Sequence, residues 1–150
     1  MKDAFGGILN IVIVAVFLVI VSGILGMTVN YTKAFKMKNV VISSIEKYEG
    51  YGCFTGDSDS ACLSSIEEGA KSIGYHPVDV NCPSSQGFRR PAGNRYFCYK
   101  RNNSSNGNLY YTVTTQVDID IPIINKIMGL SFFQVHGDTR IIQNKYHVGE

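Results

Sequence analysis

Four cysteines are the residues of this 150-residue chain with the clearest chemistry: Cys53, Cys62, Cys82 and Cys98. Such a set either holds a metal ion or forms disulfides. No two of them have the CxxC spacing of a zinc site, and no histidine lies near enough to complete one, so the spacing favours two disulfides. Of the three pairings, we favour 53 with 62 and 82 with 98, because each encloses a short, turn-rich loop; the sequence leaves the other two open.

The other polar residues do not form a recognisable catalytic set. None of the motifs GxxxxGK[ST], GxGxxG, HExxH or GxSxG occurs, and His76, His136 and His147 are isolated. Asp118 and Asp120 share one face of a predicted strand, where paired carboxylates do acid–base work in some enzymes. On a face otherwise made of Thr and Gln they more simply keep that face soluble. We therefore predict no enzyme, no metal site and no cofactor.

A loop rich in proline and glycine carries three arginines, Arg89, Arg90 and Arg95. Guanidinium groups bind phosphates and carboxylates, so this loop is a candidate surface for an acidic partner. In a chain of net charge +2, such a doublet is more often a solvated edge. The low net charge also predicts no nucleic-acid partner.

An uncharged segment lies near the N-terminus and reads FGGILNIVIVAVFLVIVSGILGMTV from Phe5 to Val29. About 20 apolar residues suffice for a helix to cross a bilayer. The alternative, a cleaved secretory signal, has a shorter apolar core and a small-residue cleavage site, which this segment lacks. We predict a retained transmembrane helix over residues 1–30.

Small and polar residues within this segment are candidates for helix–helix packing: Gly7, Asn10, Ala15, Ser22 and Gly26. Ser22 and Gly26 form a small-xxx-small pair, which lets two helix backbones approach closely. Glycine is also simply frequent in membrane helices. Asn10 is the stronger indicator, because a polar group at membrane depth is costly unless it has a partner.

The charges and the cysteines disagree about topology. Lys33, Lys36 and Lys38 follow the apolar segment, and the positive-inside rule would place the part after it in the cytoplasm. Disulfides instead indicate an extracytoplasmic compartment. We give the cysteines more weight, because the lysines fit equally well on a helix that extends outside the membrane. The prediction is a single-pass protein of the cell membrane whose head is extracytoplasmic, at the cell surface or on a filament.

Helical spacing continues beyond the apolar segment, with one apolar stripe formed by Ala34, Met37, Val41, Ile45 and Tyr48. No proline or glycine interrupts it before Gly50. We therefore predict that residues 31–49 extend the membrane helix into one rod of about 65 Å. Two helices with a kink near Asn30 are the alternative.

Residues 50–150 read as a small α+β head. The segment SACLSSIEEGAKSIG predicts a helix that Asp59 or Ser60 caps and Gly74 closes. A period of two predicts strands in RYFCYKR, LYYTVTTQVDIDI and LSFFQVHGDTRIIQ, the second with one buried and one wet face and the third with a bulge at Gly137. The segment PIINKIMG predicts a short helix or turn, and NKYHVGE a frayed tail.

The predicted fold class is α+β, in which the long transmembrane-plus-amphipathic helix packs on a small antiparallel sheet with disulfides. This plan resembles that of type IV pilins and pseudopilins. The segment VTTQVDIDIPIINKIMGLSFFQVHGDTRII is also similar to the end of tight-adherence (TadE-like) minor pseudopilins. The resemblance implies a subunit whose helix is held in the membrane and later packs in a filament core, alone or with other pilin-like subunits.

The start of the chain departs from the pilin pattern. MKDAFGG is short for a basic pilin leader, and the first apolar stretch contains no glutamate, so any role in subunit register would fall to Asn10. Either the leader is already missing or another export route is used. From a different functional class, the alternative is a monomeric, single-pass anchor that presents an extracytoplasmic binding head.

Overall fold

The computed structural model describes residues 2–54, 60–76, 82–92, 94–104, 107–118 and 132–142. Along the chain, the elements are α1 (Lys2–Lys47), α2 (Ala61–Ile73), a 3₁₀ turn (Ser84–Gln86), β1 (Cys98–Asn103), β2 (Leu109–Asp118) and β3 (Phe132–Asp138). The three strands form one antiparallel sheet in the order β1-β2-β3. The predicted α+β fold class is therefore confirmed. The predicted turn in PIINKIMG and the tail after residue 142 lie outside the described residues.

Helix α1 is a single helix of 46 residues, so the predicted continuous helix is confirmed and the alternative of two separate helices is not observed. No proline occurs within α1, and the helix ends where Glu49 and Gly50 adopt left-handed backbone conformations. The Gly50 N–H donates to the Ile45 carbonyl at 2.9 Å, which satisfies one of the terminal carbonyls. The two halves of this helix have opposite environments.

The amphipathic half of α1 supplies the centre of the core. Four residues of its predicted stripe are completely buried: Ala34, Met37, Val41 and Ile45. They pack with residues of α2 and of the sheet, including Ile66, Phe97 and Val113, while Tyr48 lies half-buried at the margin. The Thr115 hydroxyl donates to the Ala34 carbonyl at 3.1 Å and ties β2 to the helix.

Helix α2 follows the local signals in its sequence. Of the two predicted caps, Ser60 accepts a hydrogen bond from the Leu63 N–H at 3.3 Å, and Asp59 lies outside the described residues. Gly74 ends the helix in the left-handed region, at φ 65°. Its glycine Gly69 faces α1 so closely that a Cβ atom there would lie 2.4 Å from Cγ1 of Val40. That contact sets how near the two helices approach.

Strand β1 begins three residues later than the alternation predicts. The side chain of Asn94 accepts a hydrogen bond from the Tyr96 N–H at 2.8 Å, and the Asn94 N–H donates to the Pro91 carbonyl at 3.2 Å. Because of this turn, the residues before Cys98 do not pair with β2. The strand then continues to Asn103, beyond the predicted end.

The bulge predicted at Gly137 is wrong. Pairing between β2 and β3 is continuous there, with Val113 opposite Gly137. A Cβ atom at this position would lie 2.8 Å from Cδ of Lys38 and 2.9 Å from Cδ1 of Ile42. The glycine is needed because α1 crosses close above the strand, and not because the strand bends.

The prediction of a wet outer face on β2 is wrong at two positions, because Thr114 and Gln116 are buried. Thr114 lies between Cys98 and His136 in the sheet register. Its hydroxyl is 2.7 Å from Nδ1 of His136, whose ring faces that of Phe88. The segment that leads into β1 therefore covers part of the outer face.

Two disulfides close the head, with the pairing that the loop lengths favoured. Cys53 bonds to Cys62 and joins the segment after α1 to the first turn of α2. Cys82 bonds to Cys98 and holds the covering segment on the start of β1. The sulfurs of the first pair are buried in the main core, and the second pair lies beside Phe88.

Enlarging Gly69 should destabilise the head. Because the first added carbon meets the stiff side chain of Val40, we expect Gly69→Val to lower the free energy of unfolding by about 1 to 3 kcal/mol. Thermal or denaturant unfolding of the detergent-solubilised chain measures this. Adding Val40→Ala should restore part of the loss, and Gly23→Val, at a glycine with open space around it, should cost nothing. Equal stability of the two glycine variants would contradict the close packing.

Each disulfide should contribute to stability by restricting the unfolded chain. The two loops span 9 and 16 residues, so replacing either pair by alanine should cost about 3 kcal/mol. The measurement is the Tm of each double variant with and without reductant. The variant that lacks all four cysteines is the control, and reductant should leave its Tm unchanged. A wild-type Tm that is insensitive to complete reduction would contradict the prediction.

Candidate functional site

The apolar half of α1 is the largest feature that the head does not use. The helical stretch from Gly7 to Lys47 contains an 18-residue window of mean hydropathy 3.0, none of it buried within the chain. Most of its large apolar side chains are more than half exposed, on every side of the helix. By length and composition the helix can cross a membrane, which suggests membrane anchoring. The disulfides suggest that the head is extracellular.

All five residues predicted for helix–helix packing lie in this half, and all are accessible or have open space around them: Gly7, Asn10, Ala15, Ser22 and Gly26. At about 100° per residue, the last three of these lie within about 40° of one another around the helix axis. Asn10 points more than about 100° away from them. Gly7 lies about 60° to 100° from those three residues and about 60° from Asn10. The continuous helix therefore places three of the small residues on one face, with Gly7 between that face and Asn10.

The polar side chains of this half differ in whether the helix itself satisfies them. The Ser22 hydroxyl donates to the Leu18 carbonyl at 2.8 Å, and the Thr28 hydroxyl donates to the Ile24 carbonyl at 2.9 Å. Such bonds to the preceding turn remove the need for an outside partner. Within the described residues, the carboxamide of Asn10 makes no hydrogen bond and remains available to a neighbouring molecule.

The three arginines of the second candidate site are all exposed on the head. Arg89 is held by the backbone, because its N–H and carbonyl pair with Tyr99 at 2.8 and 2.9 Å and extend the edge of β1. Arg90 follows it directly, and Arg95 lies beyond the turn at Asn94. The structure thus places the arginines along the segment that covers the sheet.

An aromatic cluster that the sequence analysis did not single out lies beside the first disulfide. The Phe54 ring stacks on Tyr99 with 4.1 Å between centroids, and it lies 4.6 Å from Tyr111. Burial raises the pKa of Tyr111 above its ordinary value, and the nearby charge of Arg101 opposes that rise. The alternation in β1 and β2 could have predicted that Tyr99 and Tyr111 lie on the same face of the sheet. The position of Phe54 depends instead on the loop that the first disulfide closes.

Metal-ligating side chains do not gather in the part of the chain that the structure describes. No group of three or more His, Cys, Asp or Glu residues lies close enough there to hold an ion. The aspartate pair considered for acid–base work falls at the end of β2 and beyond it, where Asp120 lies outside the described residues.

Comparison with known proteins does not assign the chain to a family. No protein-family model, curated protein or solved structure matches it. The function therefore has to be argued from the geometry of the chain itself, and above all from its exposed apolar helix.

Proposed function

We propose that this chain is a structural, pilin-like subunit that assembles through its N-terminal helix into a surface filament or a pilus-type machinery. One observation carries the proposal: a single unbroken helix is apolar and exposed along one half and is the core of a folded head along the other. The first half is held in the membrane before assembly and lies among other helices afterwards. The head faces outward.

The exposed half has to be covered at every stage. Burial of one large aliphatic side chain is worth about 1.5 to 3 kcal/mol, and this half carries more than a dozen that are exposed. Lipid covers them while the subunit is in the bilayer. Outside the bilayer only other apolar helices can do so, and a repeated head-to-tail contact between identical subunits builds a helical polymer. An exposed all-round apolar helix is therefore suited to a filament core.

Asn10 supplies a specific contact in this scheme. A carboxamide surrounded by lipid is costly, and a neighbouring helix that accepts and donates hydrogen bonds would remove that cost. The serine and threonine hydroxyls of the same half are already bonded to their own helix. We therefore assign to Asn10 the contact that aligns neighbouring subunits along their helices. The small-residue face around Gly26 sets how closely the helix backbones approach.

The overall plan supports the same proposal by resemblance. Type IV pilins and TadE-like pseudopilins combine a membrane helix, its amphipathic continuation and a small sheet head, as this chain does. The absence of a glutamate from the first apolar stretch distinguishes it from the usual pilin pattern. In our proposal, the polar position near that end is Asn10.

Assembly should fail when the helix surface is changed without disturbing the head. A side chain at Gly26 meets nothing within 4 Å in the isolated chain, so Gly26→Ile should leave the head folded and block close helix packing. Asn10→Leu should remove the register contact. For both variants we expect filaments sheared from expressing cells to fall at least about tenfold, which corresponds to the loss of about 1.4 kcal/mol per contact. Negative-stain electron microscopy with mass spectrometry of the sheared band measures this.

The control is Leu25→Ile, which keeps size and apolarity beside Gly26 and should assemble like the wild type. Non-reducing electrophoresis should show both disulfides in every variant, which separates failed assembly from failed folding. Wild-type filaments that persist with Asn10→Leu would overturn the role of Asn10. If the wild-type chain forms no filaments and stays in the membrane fraction, the alternative of an anchored binding head gains support, and Arg89→Ala should then impair its binding.

A further inference from the structure

The head begins almost where the apolar half of α1 ends. Val29 is the last large apolar residue of the exposed stretch, and Ala34 is the first helix residue that is completely buried in the head. Five residues of helix rise about 7.5 Å. The headgroup layer on each side of a bilayer is about 5 to 8 Å thick. With the apolar half in the membrane, the lower end of the head therefore meets the headgroups.

Five residues form a collar at this boundary, which we call the boundary collar: Tyr31, Lys33, Phe35, Lys36 and Lys38. Its two aromatic side chains are exposed by 48% and 43%, although the head lies directly beside them. Aromatic residues are enriched at the level of the headgroups, where one part of the ring is in an apolar and the other in a wet environment. The collar has the composition of a membrane–water interface.

The lysines of the collar lie on different sides of the helix. The Lys33 ammonium lies beside Gly74 at the end of α2, whereas the stem of Lys38 packs over Gly137 of β3. Lys36 is exposed. The Lys38 ammonium is 4.1 Å from the centre of the Phe35 ring, so it is directed back by about one turn toward the apolar half. Positive charge therefore surrounds the helix at the level where it would leave the bilayer.

No acidic side chain of α1 neutralises this charge. Between residue 7 and Glu46 the helix carries none, and among the described residues the three collar lysines make no salt bridge. Glu67 of α2 is paired with Lys71 instead, at 2.9 Å. The collar is therefore an unneutralised cationic ring that continues directly from the apolar half.

We propose that the boundary collar binds the phosphates of anionic phospholipids, and that this contact seats the head on the membrane. The ammonium groups take the lipid phosphates, and the two aromatic rings lie among the glycerol and upper acyl groups. This accounts for three lysines on the side of the membrane where the positive-inside rule would disfavour them. The inference rests on the membrane-inserted stage of the proposed function and does not require filament formation.

Lipid selectivity tests the proposal directly. We would reconstitute the full chain in phosphatidylcholine bilayers that contain trace spin-labelled phosphatidylglycerol or spin-labelled phosphatidylcholine, and compare their association with the protein. We expect phosphatidylglycerol to associate at least about twofold more strongly, and 1 M salt to reduce the difference. The combined change of Lys33, Lys36 and Lys38 to Gln should abolish the preference. Equal association of both lipids with the wild-type chain would overturn the proposal.

A matched control removes three positive charges elsewhere, with Lys47→Gln, Lys100→Gln and Arg101→Gln. It should keep the preference, and a loss as large as in the collar variant would mean that only net charge matters and would overturn the proposal. Because the stem of Lys38 packs in the head, Lys36→Gln provides a variant at an exposed position. It should lower the selectivity measurably while both disulfides form.

The depth of individual residues in the bilayer provides an independent test that the lower end of the head contacts the headgroups. The chain contains no tryptophan, so Tyr31→Trp and Tyr51→Trp each introduce a single tryptophan, which can be excited at wavelengths where the tyrosines do not absorb. Lipids brominated near the headgroup should quench the first strongly and the second weakly, because Tyr51 is 81% exposed beyond the far end of α1. Similar quenching of both would overturn the seating. These measurements use dispersed subunits, so a chain that forms no filaments would still give either result.

Discussion

The burial of one stripe of α1 is the constraint on which the rest of the structure depends. Ala34, Met37, Val41 and Ile45 lie between the sheet and α2, and none of them is accessible. A head of about 100 residues has little apolar surface of its own to bury, so the helix that carries the exposed apolar half also supplies the centre of the core. The head therefore cannot be separated from α1 without losing that core.

Close backbone approach follows from this arrangement. Val40 reaches the α2 backbone at Gly69, and the Lys38 stem and Ile42 reach β3 at Gly137. The two glycines lie on different elements, far apart in sequence, yet each is required by the same helix. The disulfides then close the loops around the packed elements: one beside the end of α1, the other on the outer face of the sheet.

Features set by neighbours in sequence could be predicted, and those set by distant contacts could not. A period of 3.6 predicted the stripe of α1, and Ser60 and Gly74 marked the ends of α2, because caps and helix faces depend on residues within a turn or two. Alternation predicted three strands but not the burial of Thr114, since it does not reveal what covers the second face. The role of Gly137 depends on a helix about 100 residues earlier.

The same distinction applies to the candidate site. Composition alone predicted an apolar helix, and its exposure follows because the small head has no room to bury it. Which polar residues need a partner is also partly local: a serine or threonine hydroxyl reaches the carbonyl four residues back, as Ser22 and Thr28 do. That rule already distinguishes them from Asn10 in the sequence. How the five packing candidates divide around the axis follows from helix geometry once the helix is known to be continuous.

Continuity of α1 has a mechanical consequence for the proposed subunit. Because one helix runs from the apolar half into the head without a break, the azimuth of the small-residue face fixes the azimuth of the head. Neighbouring subunits that pack through the same helix face would therefore present the same side of the sheet outward. In the membrane, the same continuity would make the level of the boundary collar set the height of the head. A flexible linker would allow neither. In the proposed subunit, the continuous helix between the apolar half and the head would therefore convert a helix contact into a defined surface.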